Sequence, residues 1–304
     1  MMRVSIIVQT EKLTRKFGDK LSVNQVDLRV LQGSIYGFLG PNGAGKTTTL
    51  KMLLGLLRPT DGRMQLLGKK MPDQRTAVLR DIGSLVESPS YYGHLTGYKN
   101  LKIVSELLGL SSPSIDEVLE LVRLSQDAHR PAKEYSLGMK QRLGIAMALI
   151  HKPKLLILDE PTNGLDPAGI QEIRNLIKDL PTLYGSTLLV SSHLLSEVEQ
   201  LATHVGIIHR GELIFQDKID VLRQQSVPSM WVEVQHPREA YQSLRNQGWS
   251  VEMKQEALSI RLDHPEDKPH LFQHLQPYTI LNVQEKKKSL EDIFIEWTGT
   301  GDSL

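Results

Sequence analysis

Gly40-Pro41-Asn42-Gly43-Ala44-Gly45-Lys46-Thr47 is the stretch whose reading decides the fold. It fits G-x-x-x-x-G-K-[ST], and its flanks fit as well. Ahead of it, residues 34–39 (SIYGFL) read as a short buried strand. Behind it, residues 48–57 carry Leu50, Leu53, Leu54 and Leu57 at helical spacing. A strand, a glycine loop and a helix start together make a phosphate cradle. The glycines let backbone N–H groups converge on an anion, which the helix dipole also attracts. Lys46 is then placed to reach the outer phosphates, and the Thr47 hydroxyl to ligate Mg²⁺. A bare turn before an amphipathic helix would need neither residue. The stretch predicts a nucleoside-triphosphate site.

Composition narrows what surrounds it. With 304 residues the chain is long enough for one large and one small domain. Lys+Arg 36 against Asp+Glu 35 leaves a net charge of +1, so no basic field points to nucleic acid, and none is expected as a partner. Cysteine is absent, which excludes disulfides, thiol nucleophiles and Cys-based metal sites. The start (MMRVSIIVQ) has too short an apolar run for a signal peptide and reads as a first strand. No stretch approaches the ~18 apolar residues that a membrane helix needs. Any membrane role is therefore expected to come through a partner.

Taken in order, residues 4–8, 26–30 and 63–67 read as strands, with Phe17-Gly18 in a turn and residues 58–62 (RPTDG) in another. The loop's helix is expected to end near Leu57. Residues 80–87 (RDIGSLVE) read as a buried strand running into a loop. Residues 88–135 turn helical, with Leu95-Thr96-Gly97 opening one segment and Ser114 to Glu117 showing capping-box spacing. Helices at 137–150, 168–180 and 195–204 then alternate with strands at 154–158, 186–191 and 205–209, which implies a parallel α/β sheet. Past Val221, strands at 230–235, 251–254, 258–262 and 280–284 and helices at 238–246, 265–274 and 290–297 suggest a small ferredoxin-like α+β domain, βαββαβ with a closing helix. The predicted division is 1–221 and 222–304, with a helical subdomain at about 88–150.

More chemistry follows the loop. Residues 155–160 (LLILDE) are an apolar strand ending in two carboxylates. Strand C-termini in an α/β sheet face the ligand crevice, so Asp159 would sit beside Mg²⁺ and Thr47. Glu160 would accept a proton from, or orient, the water attacking the γ-phosphate. His193 also follows an apolar strand; it either senses the γ-phosphate or is structural.

These segments, in this order, resemble the ABC-transporter ATPases. Residues 40–48, Ser136-Leu137-Gly138-Met139-Lys140, the 155–160 strand, Asp166 and His193 are similar to that family's Walker A, signature, Walker B, D-loop and H-loop. The likeness covers residues 1 to about 220. It is nearest to the ATP-binding subunits of bacitracin-export and lantibiotic-immunity transporters, on residues 38–43 (FLGPNG), 136–146 (SLGMKQRLGIA) and 289–294 (SLEDIF).

The resemblance implies ATP bound by Gly40, Pro41, Asn42, Gly43, Ala44, Gly45, Lys46, Thr47 and Thr48, with Mg²⁺ on Thr47 and Asp159. It implies Glu160 and His193 as catalytic residues and Phe17 as the aromatic stacked on adenine, although a core phenylalanine is the other reading. It also implies a head-to-tail pair of subunits, in which Ser136 and the Gly138 amide cap the γ-phosphate of the other copy and Asp166 couples the two sites. Two departures stand out. Leu137 replaces the first glycine of the usual signature, and Glu87 stands where most members carry a glutamine, an exchange shared with the immunity and bacitracin-export group.

The expected function is thus the ATPase of an exporter that removes an antimicrobial peptide, antibiotic or similar amphipathic compound through a separate permease at the cytoplasmic face of the membrane. An importer or another exporter of the type is the alternative. A soluble ATPase of translation or DNA repair fits less well, because the chain has one cassette and no coiled coil. Lys286-Lys287-Lys288 reads as a solvated run or a lipid or partner contact, and Trp231, Trp249 and Trp297 as core or domain-interface residues.

Overall fold

The computed structural model describes residues 5–110, 115–225, 228–254, 257–262, 266–287 and 289–299. The Ser114 cap, Val4, Pro265 and Lys288 lie outside the described residues. The chain divides into two compact units after Ile219.

The first unit opens with antiparallel strands β1 (Ile6–Phe17), β2 (Lys20–Val26) and β3 (Arg29–Leu31). The central strand β4 (Ile35–Leu39) leads into helix α1 (Lys46–Leu53). Strands β5 (Asp61–Leu66) and β6 (Lys69–Met71), helix α2 (Arg75–Leu79) and strand β7 (Ile82–Leu85) follow. One sheet runs β2-β1-β5-β6, with β3 also paired to β1. Phe17 is the last residue of β1 rather than part of the turn, which is Gly18-Asp19 alone. The expected strand over 26–30 is two strands, because β2 ends at Val26, opposite Leu13, and β3 resumes the pairing further along β1, opposite Ile6 to Gln9.

Helices α3 (Gly97–Leu107), α4 (Ile115–Leu121) and α5 (Leu137–Leu149) form the helical part. Thr96 caps α3, its hydroxyl accepting from the Lys99 amide. Strands and helices then alternate: β8 (Leu155–Asp159), α6 (Pro167–Tyr184), β9 (Thr187–Ser192), α7 (Leu195–Leu201), β10 (His204–His209) and β11 (Glu212–Lys218). The second sheet has the order β11-β10-β4-β9-β8-β7, and β7, β8, β9, β4 and β10 are mutually parallel. Every residue of β4, β8 and β9 is buried, as expected for parallel strands covered on both faces.

Helix lengths depart from expectation at three places. Helix α1 stops at Leu53, because Gly55 adopts φ 65 and turns the chain. Helix α6 runs through Pro181 to Tyr184 and ends on left-handed Gly185. Helix α7 stops at Leu201, and His204 opens the next strand.

The second unit begins within α8 (Ile219–Gln224). It continues with β12 (Pro228–Val234), α9 (Pro237–Asn246), β13 (Val251–Lys254), β14 (Ala257–Arg261), α10 (Asp267–Leu275), β15 (Ile280–Lys287) and α11 (Leu290–Thr298). The sheet order β13-β14-β12-β15, antiparallel throughout, is the ferredoxin-like βαββαβ arrangement. Alternation on β12 buries Met230, Val232 and Val234 against Leu244, Leu258, Ile260 and Leu271. Trp249 packs on this core and donates its ring N–H to His274 Nδ1 at 2.8 Å.

Candidate active site

Sheet order builds the site. Strands β4, β9 and β8 are neighbours, with Leu39 in register with Ser192 and Asp159 with Ser191. The loop after Leu39, the turn after Ser192 and the carboxylates at Asp159 and Glu160 therefore leave the sheet at one edge, where α/β folds hold ligands.

The loop itself depends on missing side chains. Gly45, which caps α1, has φ 108, and a Cβ there would lie 2.6 Å from the Ser22 carbonyl oxygen. A Cβ on Gly40 would lie 2.3 Å from the Ile208 carbonyl oxygen. Only glycine lets the backbone pass this close.

Lys46 is 5% exposed, so its charge must be met by partners. Its Nζ donates to the Gly40 carbonyl at 2.6 Å and lies 3.2 Å from Glu160 Oε1. The other Glu160 oxygen lies 2.7 Å from His193 Nδ1. Glu160 also holds φ 48, a left-handed conformation that costs a non-glycine residue energy. The Thr47 hydroxyl donates to Asp159 Oδ2 at 2.8 Å. The structure thus brings Lys46, Thr47, Asp159, Glu160 and His193 into one connected group.

Ser191 completes it, a residue that motif reading passed over. Its hydroxyl donates to Asp159 Oδ1 at 2.6 Å and accepts the Glu160 amide at 2.9 Å. The signal was available: a serine at the end of a fully buried strand needs a partner. The Thr48 hydroxyl lies 3.2 Å from that of Ser22.

Thr47 and Asp159 offer adjacent hard oxygen donors, which fit Mg²⁺. Among the described residues no group of three or more His, Cys, Asp or Glu stands ready to hold a metal alone.

The remaining predicted residues lie on other segments. Ser136 caps α5, its hydroxyl accepting from the Met139 amide at 3.2 Å. Tyr135 before it is buried and donates to the Asp127 carbonyl at 2.6 Å; burial raises its pKa, so it stays a donor. Leu137 is 53% exposed, and a Cβ at Gly164 would lie 3.1 Å from its Cδ2, so signature and D-loop abut. Asp166 caps α6 by accepting the Gly169 amide at 3.1 Å. Glu87 has φ 66, is mostly exposed and pairs with Lys51 of α1. Phe17 is 45% exposed, with the Arg15 guanidinium 4.4 Å from its ring centroid, so it is not a core phenylalanine.

Comparison with known proteins agrees with this geometry. Residues 23–163 match the ABC transporter family, and residues 219–298 match the C-terminal domain of DrrA1-3-like ATP-binding proteins. The chain is 42% identical to the bacitracin transport ATP-binding protein BcrA of Bacillus licheniformis, covering 98% of this chain and 99% of that one. It is 44% identical to the lantibiotic transport ATP-binding protein SrtF of Streptococcus pyogenes, over 70% of this chain and 92% of the relative. Among solved structures, a dimeric post-hydrolysis ATP-binding cassette bound to ADP and Pi matches with TM-score 0.63 and 25% identity, over 70% of this chain and 98% of that one. Among the described residues no helix is long and apolar enough to cross a membrane. The chain belongs to the ATP-binding, ATP-hydrolysing subunits of ABC transporters.

Proposed function

We propose that this subunit powers export of a peptide antibiotic or a similar amphipathic compound through a separate membrane permease, as one half of a head-to-tail pair of copies. The observation that carries the reading is the connected group Lys46–Glu160–His193 beside Thr47–Asp159. Similarity to a bacitracin transport protein over nearly the whole chain, second unit included, supports the class of cargo. The exposed Leu137 against Gly164 supports a partner copy on that surface.

In this reading the loop amides and Lys46 hold the β- and γ-phosphates. Mg²⁺ on Thr47 and Asp159 would neutralise charge that builds on the phosphate oxygens. Glu160 orients the attacking water and takes its proton as the water oxygen bonds to the γ-phosphorus and the bond to the β-phosphate oxygen breaks. His193 holds Glu160 in place. Ser136 and the Gly138 amide of the other copy cap the γ-phosphate, and Phe17 carries the adenine ring.

The direct test reconstitutes the subunit in proteoliposomes with the multi-span protein that copurifies from host membranes. ATP-driven movement of a bacitracin-type peptide out of the cytoplasm-equivalent side is expected. Uptake in the other direction would assign the engine to an importer, and copurified ribosomes or DNA would remove the transport reading.

A further inference from the structure

We infer that Glu197 is a positioning residue for ATP hydrolysis, tying the segment that follows Glu160 to the residue that precedes His193. The inference rests on the reading of Glu160 and His193 as the hydrolytic pair.

Glu197 lies in the first turn of α7 and is 6% exposed. One of its oxygens, Oε2, accepts two hydroxyl hydrogen bonds, from Thr162 at 2.8 Å and from Ser192 at 2.9 Å. All three residues are buried, and Ile35, Val190 and Leu201 form an apolar wall beside them. A buried carboxylate is expensive, and a well-packed apolar residue would serve stability as well or better. A carboxylate kept in such a place is best explained by what it joins.

It joins two of the segments that carry the reaction. Thr162 stands two residues after Glu160 and four before Asp166. Successive turns fix it there: the Asn163 amide donates to the Glu160 carbonyl at 3.1 Å, and the Leu165 amide to the Thr162 carbonyl at 3.2 Å. Ser192 is the last residue of β9. Its hydroxyl accepts the Leu194 amide at 3.0 Å, closing the turn that presents His193. Its carbonyl accepts the Gly40 amide at 3.3 Å, at the start of the phosphate loop. Through Glu197, then, the loop, the His193 turn and the path from Glu160 to the D-loop form one body.

The base of this link is stiff. Val198, next along α7, is pressed so closely on β4 that a methyl added at Gly37 would sit 2.4 Å from its Cγ1. Helix α7 is thus packed closely on the central strand, and Glu197 ties both segments to it. Loss of the link would let Glu160 and His193 drift from their 2.7 Å contact, and displacements of about 1 Å cost as much as 10²-fold in rate.

The test is steady-state ATP hydrolysis by the full chain carrying Glu197→Ala, Glu197→Gln, Thr162→Val or the Glu197→Ala/Thr162→Val pair. Gln keeps an acceptor oxygen, and Val keeps the shape of Thr while removing the donor. Glu197→Ala and Thr162→Val should each lower kcat about tenfold with ATP KM within about twofold, and Glu197→Gln should stay within about twofold of the parent. The pair should be no worse than its worse member, because both remove one link. Parental kcat in folded Thr162→Val, a Gln variant as impaired as Ala, or multiplying defects would each overturn the inference. Should Glu197→Ala fail to fold, Thr162→Val decides. Glu160→Gln, run alongside, separates the two readings. If it hydrolyses ATP normally, the Glu160 assignment fails; if it is inactive while Thr162→Val is fully active, only the Glu197 link fails.

Discussion

In the first unit, Lys46, Asp159 and Glu197 are charged side chains at most 6% exposed, each with hydrogen-bond partners. In the second unit, the buried side chains among the described residues are apolar, apart from Thr298, which donates to the Phe294 carbonyl. Both units bury apolar cores, so the contrast is not one of apolar burial. Buried charge weakens a fold unless every partner is in place, and a fold keeps it where chemistry needs it. The first unit is therefore where substitutions should change rates, and the second is where they should change stability.

The largest expected effect comes from Lys46→Ala. It removes the buried cation facing Glu160 and should lower ATP hydrolysis by about 10²-fold or more, with weakened ATP binding in a direct titration. Binding and turnover near the parental values would break the contrast at its centre. Ser136→Ala should lower turnover by about tenfold or more. In mixed pairs the defect should appear at the site of the unaltered copy, and a defect confined to the altered copy's own site would contradict the head-to-tail reading.

Leu258→Ala sharpens the other side. Leu258 is fully buried on β14, so the truncation should cost about 2–5 kcal/mol in thermal or denaturant unfolding of the second unit. ATP affinity of the first unit should stay within about twofold. A stable variant that binds ATP poorly would give the second unit a direct part in the site.

The smallest effect concerns pH. His151 Nε2 lies 3.2 Å from the Ile82 carbonyl oxygen, while its Nδ1 is buried with no partner. Burial lowers its pKa below 6.5, as it does for His204 and His209. The unfolded chain thus binds more protons than the folded one, and stability falls as pH drops below about 6.5. Between pH 7.5 and 5.5, His151→Gln should lose less in Tm than the parent. An identical loss would remove His151 from the account.

Much of the first unit was legible because its chemistry is written locally. The loop, the 155–160 strand and the capped start of α5 each carry their signal within about a dozen neighbouring residues, and β4, β8 and residues 188–190 of β9 announce themselves as short apolar runs. Strands β2, β6 and β11 did not, because they are short or half-exposed and have no clean alternation. The links that turn motifs into a site were hidden for another reason. Thr162 and Glu197 are separated by 35 residues and Glu160 and His193 by 33, and only the sheet order brings them together. In the second unit, the order of short strands and helices made the ferredoxin-like arrangement readable, but no reactive cluster gave it a role.

The measurement that bears most directly on the central claim is ATP binding, hydrolysis and oligomeric state of Glu160→Gln in one experiment. The substitution keeps the shape of the residue and removes its ability to take a proton. The account predicts retained ATP binding, hydrolysis reduced by about 10²-fold or more, and an ATP-dependent dimer seen by light scattering. Hydrolysis at the parental rate would contradict it, since the carboxylate held between Lys46 and His193 would then not be the group that activates water.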